Sequence, residues 1–512
     1  MPSVPHTSLG LWTGRSTFFW AATAATVGLG NLWQFLLVIT LPLMLAETAL
    51  GRYSRHSMVL AVAGEVRSHY LSPRWVWIGR ASVLSGFLVL SMTLVVGAIC
   101  LAYVFYGALG RFVDADAVTL AAMLRDLVES PHDYRYFMAW HGLMIVLVGV
   151  VAMRRGAAGL ERAVRLVIPL FILILLGLLW WLWGRETVAV STGMLLSFDR
   201  ESLTWEGSLQ ALSHAFYTLG LGLGVWAVMG AMMAPGTPFK RSVLAVALVD
   251  TLVGVLAGIL IYSLVLGATG DAEANGFGLV FVALPLGLSA EPYGPILATV
   301  MFTAITLVAW TSALVLVEAV TGWLREWTGA QRQGAVMLVL VAAWLVGLIS
   351  LFSFNIWSDR TLAGLTAFRW IELLTSGVLI PLASACLALF LGWLMPRHHL
   401  TRLLGNSPQW LSSLWLWALR LVLPVVVLAI GSNYTVTSFR VLCDSGNLTW
   451  CAPTTTAPVH ESPSTPGAAI EIPAPADNGE EGAGERSGEA NAEDSAGEDE
   501  QNSPDPSGDA AI

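Results

Sequence analysis

Three oxygen-bearing side chains stand inside apolar stretches of this chain: Asn31, Thr218 and Asp250. A polar or ionisable group in the middle of such a stretch is costly in hydrocarbon, and it usually pairs with a cation or lines a polar cavity. These residues therefore point to an ion or a substrate bound inside a membrane. For Asp250 the alternative is a carboxylate at a helix end that faces water.

Glycine clusters lie beside two of these residues, in the stretches 27–31 (Val-Gly-Leu-Gly-Asn) and 218–224 (Thr-Leu-Gly-Leu-Gly-Leu-Gly). A membrane helix keeps its backbone groups bonded within itself, and glycine weakens that ladder. Paired breaks in the two halves of a polytopic protein mark the binding site of a secondary transporter. The alternative is that glycine only allows close helix packing.

The composition places the elements that carry these residues in a membrane. Of 512 residues, 56% are hydrophobic and only 12% are charged, and runs of about 20 apolar residues are long enough to cross the bilayer. The spans are predicted at 17–50, 80–108, 137–153, 163–184, 208–233, 242–268, 294–324, 334–353, 364–395 and 411–432. No cleavable signal peptide precedes them.

Basic residues set the predicted orientation. If residue 51 onward starts in the cytoplasm, 17 Lys and Arg residues fall inside and 8 outside, as the positive-inside rule requires. The sequence thus predicts a cytoplasmic segment 1–16, a transmembrane domain 17–432 and an outer C-terminus in a bacterial-type inner (cell) membrane.

The C-terminal segment 433–512 is predicted to be a disordered acidic tail. From residue 452 it has 14 acidic residues and one Arg, too little apolar surface to fold. Cys443 and Cys451 lie within this segment, before its acidic part. A disulfide between them is as plausible as two free thiols.

Ordered motifs along residues 10–432 resemble the neurotransmitter:sodium symporters, including bacterial sodium-dependent amino-acid transporters of the leucine-transporter fold. The residues that carry the resemblance are the opening run 12–15 and 27–33, the run 41–52 with Glu47, Gly156–Arg162, Ala215–Gly224, Asp250–Gly258 and Ala309–Ala313 with Glu318 beyond. The resemblance implies an all-α polytopic membrane protein with inverted five-helix repeats, broken helices 1 and 6, and about 10–11 transmembrane helices.

The resemblance also implies two sodium sites, with sodium as the coupling ion and no other cofactor or metal. Sodium is a hard cation that prefers oxygen ligands. By similarity, the first site would use Thr26, Asn31, Thr218 and Asp250, and the second Ala24, Val27, Val308, Thr311 and Ser312.

A central substrate site follows from the same resemblance. Freed amides at the first break would bind the substrate carboxylate, and an apolar pocket would take a hydrophobic or aromatic amino-acid side chain. The implied substrate-binding residues are Gly28, Gly30, Val89, Thr93, Tyr217, Gly220, Leu223, Ser312 and Leu316. Each of them would equally well be core packing.

Several positions depart from the family pattern. About 20 residues that relatives carry are missing after Phe35, so 17–50 forms either two short segments or one long span with an outer N-terminus. The outer gate has Gln34 in place of an Arg, facing Glu372, and Arg369 is placed to form an i,i+3 pair with Glu372 instead. Thr93 replaces a substrate-binding Tyr. On the inner side Leu9 replaces an Arg whose partner would be Glu326.

The sequence therefore predicts a sodium-coupled symporter for an amino acid or related small zwitterion that works by alternating access. The alternative, because of the missing segment, is a transport-incompetent or ligand-sensing relative. The His residues show no spacing typical of an intramembrane metal or a nucleophile–base pair, so an enzyme is not predicted. The expected partners are the substrate, sodium and lipid, without nucleic acid; the oligomeric state stays open.

Overall fold

The computed structural model describes residues 9–12, 14, 16–26, 37–154, 158–197, 205–269, 276–405 and 407–444. This part of the chain is helical, with no β-structure beyond one bridge between Leu362 and Leu365. Eight of its helices are long and apolar enough to cross a membrane. The prediction of an all-α polytopic membrane protein is confirmed.

In its described residues, the first half of the chain forms ten α-helices. They are α1 (Thr17–Thr26), α2 (Leu37–Ser54), α3 (Met58–Ser68), α4 (Trp77–Ala108), α5 (Ala117–Val128), α6 (Tyr134–Ala152), α7 (Ala158–Leu182), α8 (Glu186–Leu196), α9 (Trp205–Thr218) and α10 (Val225–Met232).

The second half supplies ten more. They are α11 (Phe239–Thr269), α12 (Gly276–Gly278), α13 (Leu284–Ser289), α14 (Gly294–Thr328), α15 (Arg332–Phe354), α16 (Ala367–Glu372), α17 (Ile380–Leu389), α18 (Arg397–Leu404), α19 (Gln409–Trp417) and α20 (Leu423–Asp444). Turns of π-helix join α12 to α13, α16 to α17 and α19 to α20.

The helices sort their residues between a packed interior and a lipid-facing surface. On α7, Leu166, Leu173 and Trp180 are 69%, 66% and 79% exposed, and their seven-residue spacing places them on one face of the helix. The opposite face buries Val164, Phe171 and other apolar residues in the core. Large exposed apolar side chains along one stripe are typical of a helix that faces hydrocarbon.

The segment 17–50 forms two helices, α1 and α2, with residues 27–36 between them outside the described part. The Trp12 amide donates to the Met232 carbonyl at 3.0 Å. Arg55 Nη1 donates to the Ala231 and Met233 carbonyls at 2.9 and 2.6 Å. Both ends of this segment therefore lie at the end of the molecule where α10 terminates, so α1 enters from that end and α2 returns to it.

The last helix extends beyond the predicted boundary of the membrane domain. Residue 432 was the expected end, but α20 continues to Asp444, because Tyr434 and its neighbours still pack against the π-helical turn between α16 and α17. Cys443 on this helix is disulfide-bonded. Its predicted partner, Cys451, lies outside the described residues.

Candidate functional site

The second glycine cluster interrupts a membrane helix, as predicted. α9 ends at Thr218 and α10 begins at Val225, and the six residues between them are not helical. Gly220, Gly222 and Gly224 adopt φ values of +62°, +76° and +70°, a left-handed conformation that other residues rarely adopt. The backbone therefore leaves the helical path for almost two turns at this point.

Protein side chains satisfy polar backbone groups that this break leaves without helical partners. The Gly222 amide donates to Glu47 Oε1 at 2.8 Å, and the Trp226 indole Nε1 donates to the Leu219 carbonyl at 2.7 Å. Glu47 is fully buried, and its second oxygen, Oε2, has no hydrogen-bond partner among the described residues. Glu47 is the one charged residue of the sequence 17–50. The sequence did not predict that the distant Gly222 amide would be its partner.

The break is also packed closely on two sides. A Cβ atom at Gly222 would lie 2.3 Å from Ser384 Oγ and 2.9 Å from the Ile380 carbonyl oxygen, both on α17. A Cβ at Gly86 on α4 would lie 3.0 Å from the Leu223 carbonyl oxygen. The unwound segment is thus held between α4 and α17.

The first glycine cluster lies outside the described residues. Five predicted site residues fall there: Val27, Gly28, Gly30, Asn31 and Gln34. What the structure does describe is α1, which ends at Thr26 and packs against α7, α10, α11 and α14. Its 10 residues span about 15 Å, half of the hydrocarbon thickness.

The described residues of the first predicted sodium site lie on three different helices. Thr26 is buried in the last turn of α1, Thr218 is half-buried at the end of α9, and Asp250 is fully buried on α11. α1 and α11 pack directly against each other. The Thr218 hydroxyl donates to the His214 carbonyl at 2.9 Å. The lone pairs of the Thr218 oxygen can still coordinate a cation.

Two residues of the second predicted sodium site, Ala24 and Ser312, meet where α1 packs on α14. Ser312 Oγ donates to the Ala24 carbonyl at 2.7 Å, across the two helices. On α14, the Thr311 hydroxyl donates to the Leu307 and Val308 carbonyls at 3.0 and 2.9 Å. Val308 and Thr311 lie on α14 within one turn of Ser312, and their part in a sodium site stays a prediction.

The predicted substrate residues lie on α4, at the second break and on α14. Val89 and Thr93 are one turn apart on α4, where the Thr93 hydroxyl donates to the Val89 carbonyl at 2.8 Å. The Tyr217 hydroxyl donates to the Ser376 carbonyl at 2.6 Å. The others are Gly220, Leu223, Ser312 and Leu316, of which Gly220, Leu223 and Leu316 are buried and Ser312 is half-buried. α4 and α14 pack along much of their length.

The outer gate position has its own charge pair. Arg369 Nη1 lies 3.0 Å from Glu372 Oε2, which is the i,i+3 pair predicted from the sequence. Tyr434 on α20 adds a hydrogen bond from its hydroxyl to Glu372 Oε1 at 2.8 Å. The sequence did not predict the contact with Tyr434, because α20 and α16 are far apart in the chain and only the packing of the helices brings them together.

The inner end pairs Glu326 with a residue that the sequence analysis did not single out. His56 Nδ1 lies 2.9 Å from Glu326 Oε1, and the Ser57 amide donates to Glu326 Oε2 at 3.0 Å. Leu9 is 1% exposed and packs on α14 next to Gly322. Here an apolar contact occupies the position where an Arg was expected.

A polytopic helical protein with an unwound stretch inside one span, near buried residues with side-chain oxygens, has the architecture of a secondary transporter. The model of the sodium:neurotransmitter symporter family matches residues 127–446. The chain belongs to this family, which is a family of sodium-coupled transporters and not of enzymes.

Known relatives extend over most of the chain. An uncharacterized sodium-dependent transporter of Haemophilus influenzae is 23% identical over 453 residues, which cover 82% of this chain and 96% of the relative. The Bacillus subtilis transporter YhdH is 25% identical over 450 residues, covering 82% and 97%. The crystal structure of MhsT in complex with L-phenylalanine matches with a TM-score of 0.72 and 27% identity, over 83% of this chain and 99% of that one.

Proposed function

We propose that this transporter takes up an amino acid together with sodium, by alternating access around the second break. The carrying observation is the unwound stretch Leu219–Gly224 in the interior of the membrane domain. Such a stretch offers backbone carbonyls and amides to a ligand, which an intact helix does not. The likeness to MhsT, whose structure contains L-phenylalanine, supports an amino-acid substrate.

The donor set fits sodium. Asp250 supplies a carboxylate, and Ala24 supplies a backbone carbonyl. Hydroxyls come from Thr218, Thr311 and Ser312. All are oxygen ligands, as a hard monovalent cation requires. A fully buried Asp250 is most stable when a cation offsets its charge. Sodium binding would therefore stabilise the packing of α1 against α11 and α14.

The substrate side chain would meet mainly apolar surface. Val89, Leu223 and Leu316 offer aliphatic side chains, and Tyr217 offers an aromatic ring whose hydroxyl is already bonded to Ser376. Such a lining favours a hydrophobic or aromatic amino acid. Thr93 would hold the carboxylate end less closely than a longer Tyr.

The decisive experiment is sodium-dependent uptake of a labelled amino-acid mixture by the full chain in reconstituted liposomes. We expect uptake that requires an inward sodium gradient and falls at least tenfold in Asp250→Asn and Asn31→Ala. Thr251→Ala is the matched control, because Thr251 follows Asp250 directly and its hydroxyl donates only to the Ala247 carbonyl, at 3.0 Å. This variant should transport normally.

The alternative, a ligand-sensing relative, predicts a different result in the same vesicles. Equilibrium binding of an amino acid would persist in the wild type, with no accumulation at any sodium gradient. If the wild type showed no binding and no uptake, both functions would be contradicted.

A further inference from the structure

Two histidines and a glutamate meet at the membrane end where α3 and α18 lie. Glu65 and His69 are one turn apart at the end of α3, and His399 is on α18. His399 Nε2 lies 3.1 Å and His69 Nδ1 lies 3.4 Å from Glu65 Oε2. One ligand atom from each of the three residues falls within 4.8 Å of the others.

These separations suit a tetrahedral transition metal. With metal–ligand bonds near 2.1 Å, two ligand atoms of a tetrahedral zinc site lie about 3.4 Å apart. The two distances from the carboxylate oxygen to the imidazole nitrogens, 3.1 and 3.4 Å, already match this value. The separation between the two imidazole nitrogens is no more than 4.8 Å, and it would shorten toward the same value when the ion binds.

Burial gives a second, independent indication. Glu65 is 4% exposed and His399 is 8% exposed, so both are largely removed from water. His399 Nε2 lies within hydrogen-bond distance of Glu65 Oε1, at 3.2 Å, whereas Glu65 Oε2 is buried and has no hydrogen-bond partner of acceptable geometry among the described residues. A buried carboxylate oxygen of this kind is costly unless a cation or a well-aligned donor satisfies it.

Neighbouring groups hold the two rings in place. The His399 ring packs edge-on against Tyr53 at 5.3 Å and against the His69 ring at 5.0 Å between centroids. His69 Nδ1 also lies 3.1 Å from the Glu65 carbonyl oxygen and 3.3 Å from Ser68 Oγ. A metal bound through Nδ1 would replace these two weaker contacts.

We propose that Glu65, His69 and His399 form a binding site for Zn²⁺, with two imidazoles, one carboxylate and a fourth position open to water. The site lies apart from the sodium and substrate residues, on the connections α2–α4 and α17–α19. A bound ion would join α3 to α18, both of which pack on α2. Its occupancy would restrict motion of these two connections relative to each other.

The test is a titration of the purified, tag-free full chain with Zn²⁺ after removal of metals by EDTA and dialysis. Calorimetry should show one high-affinity equivalent in the wild type. Affinity should fall at least tenfold in His399→Ala and in Glu65→Gln. His398→Ala is the matched control, because His398 is adjacent to His399 on α18 but exposed. The Zn²⁺ affinity of this variant should equal that of the wild type.

A spectroscopic readout guards against variants that fail to fold. Co²⁺ in the wild type should give the intense visible absorption of a tetrahedral complex. His69→Cys keeps a ligand at that position and should add a thiolate-to-cobalt charge-transfer band. Wild-type affinity no higher than that of His399→Ala, or equal weakening in His398→Ala, would overturn the proposal. Sodium-dependent uptake is not the readout, so failure here leaves the transport proposal standing.

Discussion

The two segments that carry the glycine clusters differ in the helices that the structure describes. The second has both arms, α9 and α10, and its interruption is held by Glu47, Trp226 and close packing on α17. The first has a half-length arm, α1, followed after residues 27–36 by the returning helix α2. Because the second interruption is supported by protein groups, we expect its stability to be independent of sodium, whereas the end of α1 should depend on it.

The largest effect should come from Gly222→Ala. Gly222 has φ +76°, and a Cβ there would lie 2.3 Å from Ser384 Oγ. Left-handed strain and overpacking together should cost about 2–5 kcal/mol. Thermal unfolding in detergent should show a lower midpoint with and without sodium.

Gly220→Ala is the matched control for this variant. Gly220 also has a positive φ, +62°, but the nearest atom to an added Cβ is Leu223 Cδ1 at 3.6 Å. Only the backbone strain of about 1–2 kcal/mol should remain. Equal destabilisation of the two variants would show that packing on α17 does not hold the second interruption.

The next largest effect should come from Glu47→Ala. Its loss leaves the buried Gly222 amide without an acceptor, since Glu47 Oε1 accepts that bond at 2.8 Å. An unsatisfied buried donor costs about 1–3 kcal/mol. The unfolding midpoint should fall in sodium and in sodium-free buffer alike.

Glu47→Gln separates the hydrogen bond from the charge. The amide oxygen of Gln still accepts from Gly222, so this variant should retain most of the wild-type stability. If Glu47→Gln were as unstable as Glu47→Ala, the carboxylate would act through its charge rather than as an acceptor for the second interruption.

Local features of the sequence predicted what local physics determines. Apolar run length gave the spans, three glycines gave the second interruption, and i,i+3 spacing gave the Arg369–Glu372 pair. Gly222 as the partner of Glu47, His56 as that of Glu326 and Tyr434 as the second partner of Glu372 could not be predicted. They lie 175, 270 and 62 residues away in the chain, and only helix packing brings such distant side chains together.

The central residues and the gate residues also differ in how far they could be predicted. An ion site requires an oxygen at each position, and similarity to the family assigned Asp250 on α11 and Thr311 and Ser312 on α14 to such sites, which stays a prediction. A charge pair requires only some partner within reach, so His56 and Tyr434 fill places where a different residue was expected. At the gate positions, family similarity alone therefore does not identify the partner of a charged residue.

A smaller effect is expected from Trp226→Phe. The Trp226 Nε1–H bond to the Leu219 carbonyl, 2.7 Å long, would be lost, while a ring would still pack against Phe18, whose centroid lies 6.3 Å from that of Trp226. Loss of one buried hydrogen bond should cost about 1–2 kcal/mol. Amide hydrogen exchange at Gly220–Val225 should accelerate, and it should do so equally with and without sodium. Exchange that sodium suppressed in this variant would contradict a protein-held interruption.

The smallest effect on stability, and the one that tests the first segment, should come from Ser312→Ala. It removes the hydrogen bond from Ser312 Oγ to the Ala24 carbonyl near the end of α1, 2.7 Å long, at a cost of about 0.5–1.5 kcal/mol. Sodium should raise the unfolding midpoint of this variant by less than it raises that of the wild type, because a proposed ligand is gone. Midpoints measured over a sodium titration give both quantities.

Thr311→Val completes the comparison. Among the described residues, the Thr311 hydroxyl bonds only to carbonyls of its own helix, at 3.0 and 2.9 Å, so its removal should barely change stability in sodium-free buffer. It should nevertheless weaken the sodium-induced rise in the unfolding midpoint as much as Ser312→Ala does. If sodium raised the midpoint of both variants as in the wild type, the contact between α1 and α14 would be held by protein groups alone, as the second interruption is. The two segments would then differ in length but not in their dependence on the ion.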